Sequence, residues 1–576
     1  MQIFYFGLKV LLENLIAVAV FFTTVSGLGL LILKLLPAIR HLRNGDKLIL
    51  SVAVGMVPLS LFSYGINQLA LIWSPAFVIG SRLLALVGIV VFILFLRKIW
   101  QRQNSRKEWI ITGAVILAFV IFLSLRLSFL HNLVLPPYHD SVSHYKVLMW
   151  FLDPQTTPSL FSANYYHYGF HSIAAWLVEV AGVAPLDSLA MLGQLFLCLV
   201  PLSLFVFVHT LTRDWKPSLL TALIGAFSWS MPAHATNWGK YPALAAIIVF
   251  PAILGLLIIQ FQSPGHKFKG FYLALTAMLA LAGVTFLHSR GFVLLILAVL
   301  FLLIDKFLLH RLSILAQRIL AAILAAGFLT VMYFSSSLLQ LFATPLLPFI
   351  VFVLALIACI FWNTRLSIGA TLWGISVCAF TLIPAPGYFA RFSYSMIDTP
   401  FIQIAAFLPI TLLTGAGIYE CIERSKIKKW LQWLVIATVV CFLLFGVYTQ
   451  AYDPDDCCNY ASADDLVAIN WIADNLPPDA QIAIPGRYAL YPVVGSDSGI
   501  WIYELTSRRT FMLAYDYAWF EQSAHDDICE MGVVYIFSST SPLSFQINPI
   551  THPDWYQPVN IVGEDVIYRV IGCTGN

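Results

Sequence analysis

An all-α polytopic membrane domain of about fourteen transmembrane helices plus an interfacial helix, followed by a small soluble α/β domain, is the architecture the sequence predicts. Three observations predict it. Hydrophobic residues make up 60% of the 576 and charged residues 11%, with a mean hydropathy of +0.84, whereas soluble domains carry about 25% charged residues. Apolar runs recur at the roughly 20-residue length an α-helix needs to cross about 30 Å of hydrocarbon. The chain then changes character at residue 450, where it becomes acidic and its periodicity shortens.

In chain order the apolar runs fall at 14–37, 48–72, 76–96, 109–130, 187–211, 217–232, 241–261, 270–287, 291–304, 319–336, 343–362, 366–384, 401–420 and 430–449. The first is long, lacks a small-residue cleavage site after it and is followed by basic residues, so it is expected to remain as an anchor. Short loops rich in Lys and Arg stay on the cytoplasmic side. The loops 40–47, 97–107, 213–216, 267–269, 306–318, 365 and 424–429 hold 20 of the 32 Lys and Arg, and alternation of fourteen spans puts all of them on one face. A multi-pass protein of the cell membrane is expected, with both termini extracytoplasmic, as are the loops around Asp140, Lys240, Arg290 and Arg391. The run 173–180 is interrupted by Glu179 and is expected to lie in the interface rather than span it.

Two domains are expected, 1–449 and 450–576. The first carries 28 basic and 12 acidic residues, a net of +16; the second carries 4 and 17, a net of −13. In the second, Ser462 with Asp465 three residues on forms a capping box, opening a helix through Trp471 that the pair Pro477-Pro478 ends. Strands are expected at 481–484, 510–513, 533–537 and 566–571. Gly495 and Gly499 are expected in tight turns, and Asp497 at the cap of a helix through Trp501. Cys198, Cys359, Cys378, Cys421 and Cys441 fall in or beside spans as small apolar side chains. Cys457, Cys458, Cys529 and Cys573 all belong to the tail, an even number on the oxidising side, so one or two disulfides are expected and their pairing stays open.

One polar, histidine-rich island interrupts the apolar chain, running PPYHDSVSHYKV and then NYYHYGFH to His171. Ionisable groups stay close to lipid where chemistry or ion passage needs them. A short helix beginning near Asp140 puts Asp140 and His144 on one face, beside His139. A carboxylate backed by an imidazole is a competent general base; equally, an Asp there can cap the helix that follows. His167 and His171 repeat the four-residue spacing, and Asp140, His144, His167 and His171 could together ligate a metal. Outer-face cations are scarce: Lys9, Arg82 and Arg126 near helix ends, Lys146, and then Lys240, Arg290 and Arg391, each in its own loop. Arg290, in Leu287-His288-Ser289-Arg290, lies between two apolar runs where a phosphate head group would sit, although snorkelling to lipid would also place it there.

The order of spans, an outer loop with an Asp, an interfacial helix, further spans and a soluble outer domain resembles the GT-C superfamily of polyprenyl-phosphate-sugar-dependent glycosyltransferases. It looks most like a little-characterised bacterial branch whose first loop carries an Asp, a His four residues later and a Tyr-Tyr-x-x-Gly-x-His segment: here Asp140, His144, Tyr165, Tyr166, Gly169 and His171. The segments HATNWGKYP, with Trp238 to Pro242, and GSDSGIWIYELTSRRT, 495–510, are similar to recurrent features of that group. The chain departs from better-known members in lacking a paired acidic motif in the outer loop.

The resemblance implies an integral membrane glycosyltransferase that moves a sugar from a polyprenyl-phosphate donor to an extracytoplasmic glycan, lipid or protein acceptor, with inversion. Asp140 and His144 are then catalytic, and Tyr166, His167, His171, Lys240, His288, Arg290 and Arg391 bind substrate. The resemblance specifies no cofactor, and a divalent cation is compatible with the pattern without being demanded by it. Membrane lipid is an expected partner and nucleic acid is not. The alternatives are a transporter or flippase of a lipid-linked or anionic solute, against which stands the placing of nearly every charge at span ends, and a metal-dependent intramembrane hydrolase.

Overall fold

The computed structural model describes residues 2–101, 106–153, 155–158, 166–262, 269–343, 346–384, 397–425, 428–488, 493–547 and 552–573. Among these, twelve helices are long and apolar enough to cross a membrane, from Leu15–Leu35 to Lys429–Tyr448, which makes this a multi-pass membrane protein. They correspond to twelve of the fourteen expected spans. The other two form shorter helices, Trp215–Phe227 with 13 residues and Leu346–Trp362 with 17. The run 217–232 stops at a Ser-Trp-Ser-Met-Pro sequence, and in the run 343–362 the described helix extends from Leu346 to Trp362. A separate helix, Gln2–Glu13, precedes the first span; its pattern merges with that span in the sequence.

Lipid offers no hydrophobic drive for helices to associate, so small residues that let backbones approach hold the bundle together. A Cβ on Gly27 would strike the carbonyl of Gly88, and one on Gly55 that of Val25, which knits the helices Leu15–Leu35, Asn44–Ala70 and Pro75–Trp100. At the centre stand Pro185–Thr212, Tyr241–Gln262 and Thr399–Ser425, buried over most of their length. Each contains a proline, at 201, 251 and 409. Beside Pro251, the Ala252 N–H donates to Ser203 Oγ at 3.0 Å, the kind of side-chain repair that a proline inside a membrane helix requires.

The short helix Gly169–Ala181 forms where expected and does not span; it is covered by protein from Gly169 through Leu177. Ser172 Oγ donates to the Ser60 carbonyl at 3.0 Å and Trp176 Nε1 to that of Ser81 at 3.2 Å. Its one acid, Glu179, is met by Arg82 at 3.1 Å, so Arg82 is engaged there.

In the tail, the Ser462–Asp465 capping box opens the helix Ala463–Asn475. Six strands follow: β1 Gln481–Tyr488, β2 Val493–Gly495, β3 Arg509–Ala514, β4 Tyr535–Ser538, β5 Tyr556–Val562 and β6 Asp565–Val570. They form one sheet in the order β2-β1-β4-β6-β5, with β3 parallel beside β1. Strand alternation divides its two faces: Ile482, Ile484, Phe537 and Ile567 pack with Ile469 and Ile472 of the first helix, while Ala483, Ile536, Tyr556 and Tyr568 pack with Ile528 of the helix Gln522–Glu530. The short β2, and β5 with its exposed polar residues and Pro558, lack the apolar runs that marked the others. Asp497 caps the 3-10 turn Ser498–Trp501 by accepting from Gly499 N at 2.8 Å. Gly495 and Gly499 serve packing instead of turns with positive φ: added Cβ atoms would meet Ile500 and Ile484.

Cys529 pairs with Cys573, and Cys457 with its neighbour Cys458. The tail rests on the helix Tyr138–Leu152: Leu135 joins its apolar cluster, Tyr145 packs edge-on against Trp501 at 5.7 Å, and Lys146 faces Glu504 at 4.0 Å. Lys146 therefore serves this contact. Arg126, also an outer-end cation by sequence, is turned inward and buried, donating to Gln450 Oε1 at 3.0 Å, Gln194 Oε1 at 3.1 Å and the Ala451 carbonyl at 2.9 Å. It clamps the start of the tail to the bundle.

Candidate functional site

Five helices begin around the island residues. Tyr138–Leu152 carries Asp140 in its first turn, Gly169–Ala181 starts beside His167, Lys240 immediately precedes Tyr241–Gln262, Arg290 stands at the N-cap of Gly291–Phe307, and Asp398 precedes Thr399–Ser425. A helix N-terminus exposes unpaired N–H groups and the positive end of its dipole. Five of them facing one space favour an anion there before any side chain is counted.

The side chains add two carboxylate–cation pairs. Lys240 Nζ donates to Asp140 Oδ2, each side chain about one quarter exposed, and His139 Nε2 stands 3.3 Å from Asp140 Oδ1. Arg290 Nη1 lies 2.9 Å from Asp398 Oδ2 and its guanidinium sits over the Phe401 ring at 5.9 Å, so Arg290 is turned into the cluster and does not snorkel. Asp398 Oδ1 also accepts from Phe401 N at 3.0 Å. The buried hydroxyl of Tyr166 is within electrostatic reach of Asp140, Arg290 and Asp398 alike, and Lys240 within reach of both carboxylates. The two pairs thus share one space.

Histidines line it. His144 Nδ1 and His171 Nε2 are 3.0 Å apart, and the His167 and His288 rings lie 4.3 Å apart, with His288 stacked on Phe401 at 4.8 Å. Tyr241 packs near His144 and its hydroxyl is 3.3 Å from Ser141 Oγ. Gly239 has φ +63°, and a Cβ there would meet Ser141 Oγ at 2.6 Å, so the turn that delivers Lys240 to Asp140 needs a glycine.

Burial raises the Asp140 carboxyl, but Lys240, with His139 and His144, outweighs it and the net shift is downward. Burial pushes His144 down to about 4, and drives His167 and His288 well below the ordinary histidine range; these imidazoles are neutral near pH 7. A histidine whose pKa is lower folded than unfolded contributes stability that is complete above about 6.5 and lost as pH falls toward the folded value. In the tail, burial raises Asp497 and Asp565 to about 7, which works in the opposite sense over the same window. The difference between wild type and His144→Asn isolates the histidine. The destabilisation this substitution causes at pH 7.5 is expected to shrink by about 3 kcal/mol by pH 4, read from thermal unfolding in detergent across that range; a constant difference would mean that folding leaves the His144 pKa at its ordinary value.

Of the residues the sequence singled out, Asp140, His144, Tyr166, His167, His171, Lys240, His288 and Arg290 fall in this cluster. Arg391 and Tyr165 lie outside the described residues. Three expectations are corrected. Asp140 and His144 share a helix, but the groups touching Asp140 are Lys240 and His139, while His144 turns to His171. His167 and His171 do not share a helical face, because the helix starts between them, at Gly169. Nor is Asp140 the cap: the helix begins two residues earlier, at Tyr138, with Pro137 at the N-cap. Sequence reasoning left out Asp398 as a site residue, although it sits two positions before Pro400 as a helix-start acid, and it left out Tyr241 and Ser141, which carry no signal of their own.

The histidines do not gather around one point. Among the described residues, the group whose ligand atoms do approach one another is His525, Cys529 and Cys573 in the tail, where both cysteines are committed to their disulfide. The spacing of His525 and Cys529 is helical i, i+4, within the helix Gln522–Glu530.

The fold and this cluster define a class: a multi-pass membrane protein with a cluster of charged residues and histidines at one end of its bundle and a sheet-bearing tail packed beside it. The chain belongs to DUF6541, a family of unknown function, which it matches over residues 23–457. No curated protein matches it. Among solved structures it is similar to the crystal structure of the Archaeoglobus fulgidus oligosaccharyltransferase in the apo form, at 11% identity over 81% of this chain and 76% of that one, with a TM-score of 0.47.

Proposed function

We propose that the protein is an extracytoplasmic-facing glycosyltransferase that moves a sugar from a polyprenyl phosphate to a hydroxyl of a glycan, lipid or protein, with inversion. The observation that carries this reading is the meeting of Asp140 with Lys240 and of Asp398 with Arg290 in one space ringed by helix N-termini. Transfer needs a base for the acceptor hydroxyl and cations for the departing phosphate, and both kinds of group are present. With no donor bound, the two cations are balanced by the two carboxylates. The donor phosphate draws Lys240 and Arg290 to itself, which frees Asp140 to take the acceptor proton as the hydroxyl oxygen attacks the anomeric carbon. The bond to the phosphate oxygen breaks on the opposite face, and the polyprenyl phosphate leaves against the cations. Partly buried Tyr166 and the neutral, buried His167, His171 and His288 shape the sugar pocket and keep water out; His144 supports His171 across the same wall. The cation-rich loops at the other end of the bundle favour placing this end outside the cell.

Purified protein in liposomes with a polyprenyl-phosphate hexose and a mixed glycolipid acceptor extract tests the reading. A new glycosidic product, with free polyprenyl phosphate released one for one, is expected. Movement of the donor between leaflets without product would replace it with a flippase.

A further inference from the structure

A cavity of about 550 Å³ opens at the end of the bundle remote from Asp140. Three helices that begin at the charged cluster run to it. Asp305 is 15 residues beyond Arg290 and Glu420 is 22 beyond Asp398, so the rise of 1.5 Å per residue puts the mouth about 22 to 33 Å from the cluster. Phe250, Phe301, Trp373 and Pro409 line its walls, and the rings of Phe250 and Trp373 stack 5.8 Å apart. Trp373 is fixed by donating from Nε1 to the Leu294 carbonyl at 3.1 Å. None of the cluster residues lines the cavity, and nothing in the transfer chemistry uses it.

Its mouth is polar: Asp214, Asp305, Glu420 and Tyr419, with one cation, Arg365. Arg365 Nε stands 3.8 Å from Asp305 Oδ1, too long for a hydrogen bond, and among the described residues Glu420 is met by Arg424, at 3.9 Å. Asp214 accepts from the Tyr419 hydroxyl at 2.7 Å and from Lys216 N at 3.0 Å, and so already neutralises the start of the helix Trp215–Phe227. The helices Pro185–Thr212, Tyr241–Gln262 and Gly291–Phe307 all end here, presenting the negative ends of their dipoles. An apolar shaft of ligand-pocket size, with a net acidic rim that includes one guanidinium, complements an apolar chain whose head carries an ammonium beside a phosphate.

We propose that this cavity binds one amino-headed phospholipid, its acyl chain against Phe250 and Trp373, its phosphate at Arg365 and its ammonium between Asp305 and Glu420. The site is distinct from the donor pocket and does not depend on the glycosyltransferase reading.

Native mass spectrometry of the full chain, delipidated in detergent and titrated separately with phosphatidylethanolamine, phosphatidylcholine and phosphatidylglycerol of identical acyl chains, tests this. One phosphatidylethanolamine is expected to bind at about one tenth the concentration that either other lipid needs. Ala416→Phe, which fills the shaft, is expected to abolish that single high-affinity adduct. Asp305→Asn with Glu420→Gln leaves the shaft open and is expected to equalise phosphatidylethanolamine and phosphatidylcholine while keeping one bound lipid. Equal binding of the three lipids to wild type, or an unchanged preference in the charge variant, would overturn the proposal. So would adducts indifferent to Ala416→Phe in a protein that folds, which marks annular lipid only.

Discussion

Asp140→Asn is expected to lower turnover by about 10²–10⁴, the range that a positioned general base contributes, while leaving donor affinity nearly unchanged. Asparagine keeps the shape and can still accept from Lys240, so the change removes charge and basicity without opening a cavity. The cost to folding comes from leaving the Lys240 ammonium, about one quarter exposed, without its counter-charge. Because the pair reaches solvent, that cost is smaller than for a fully buried one, and the unfolding midpoint and membrane insertion are read beside the activity. A folded Asp140→Asn protein with ordinary turnover would remove the base from the proposed reaction. Asp398→Asn is the internal comparison, because Asp398 has the same company of cation and helix start; if it alone loses turnover, the base is Asp398.

The second large effect concerns the leaving group. Arg290→Ala is expected to cost about 10²–10³ in kcat/KM, the scale of losing one preorganised donor to developing charge. Arg290→Lys should recover only part, since an ammonium lacks the planar fork that meets a phosphate with two parallel bonds. A structural role predicts something else. Arg290 is tied to Asp398 and to the Phe401 ring, and if its work were only to hold that corner, Arg290→Ala would lower the unfolding midpoint without separating kcat from KM. Donor titrations with the alanine and lysine variants distinguish the two, and full activity in folded Arg290→Ala would eliminate the phosphate role.

Much of the architecture was legible because lipid imposes it. A helix that must satisfy its own backbone across a hydrocarbon layer writes a long apolar run, and twelve of those runs are helices of spanning length. The two that are shorter, Trp215–Phe227 and Leu346–Trp362, have 13 and 17 residues, the first ending at the stretch from Ser228 to Pro232. The tail strands with continuous apolar residues were readable; β2, three residues long, and β5 were not. The charged cluster was legible in part because ionisable residues are rare in this chain, so Lys240 and Arg290 stood out by scarcity alone. Their partners were not. That Lys240 meets Asp140 depends on Gly239 turning the chain with φ +63°, and that Arg290 meets Asp398 depends on two helix starts over one hundred residues apart lying side by side. Four-residue spacing misled at His167 and His171, since periodicity says nothing about where a helix begins.

The fastening of Tyr138 bears on when this protein can work. Tyr138 has φ +67°, its N–H donates to the Cys458 carbonyl at 2.8 Å and its hydroxyl accepts from Arg487 Nη2 at 3.2 Å; Asp140 follows two residues later. The guanidinium belongs to a residue 349 positions further along the chain. A ribosome that has delivered every membrane helix has therefore still not delivered the clasp that sets the register of Asp140. Nascent or prematurely terminated chains that lack Arg487 would sit in the bilayer with their charged residues in place but unaligned, and competence would arrive only once strand β1 has been made.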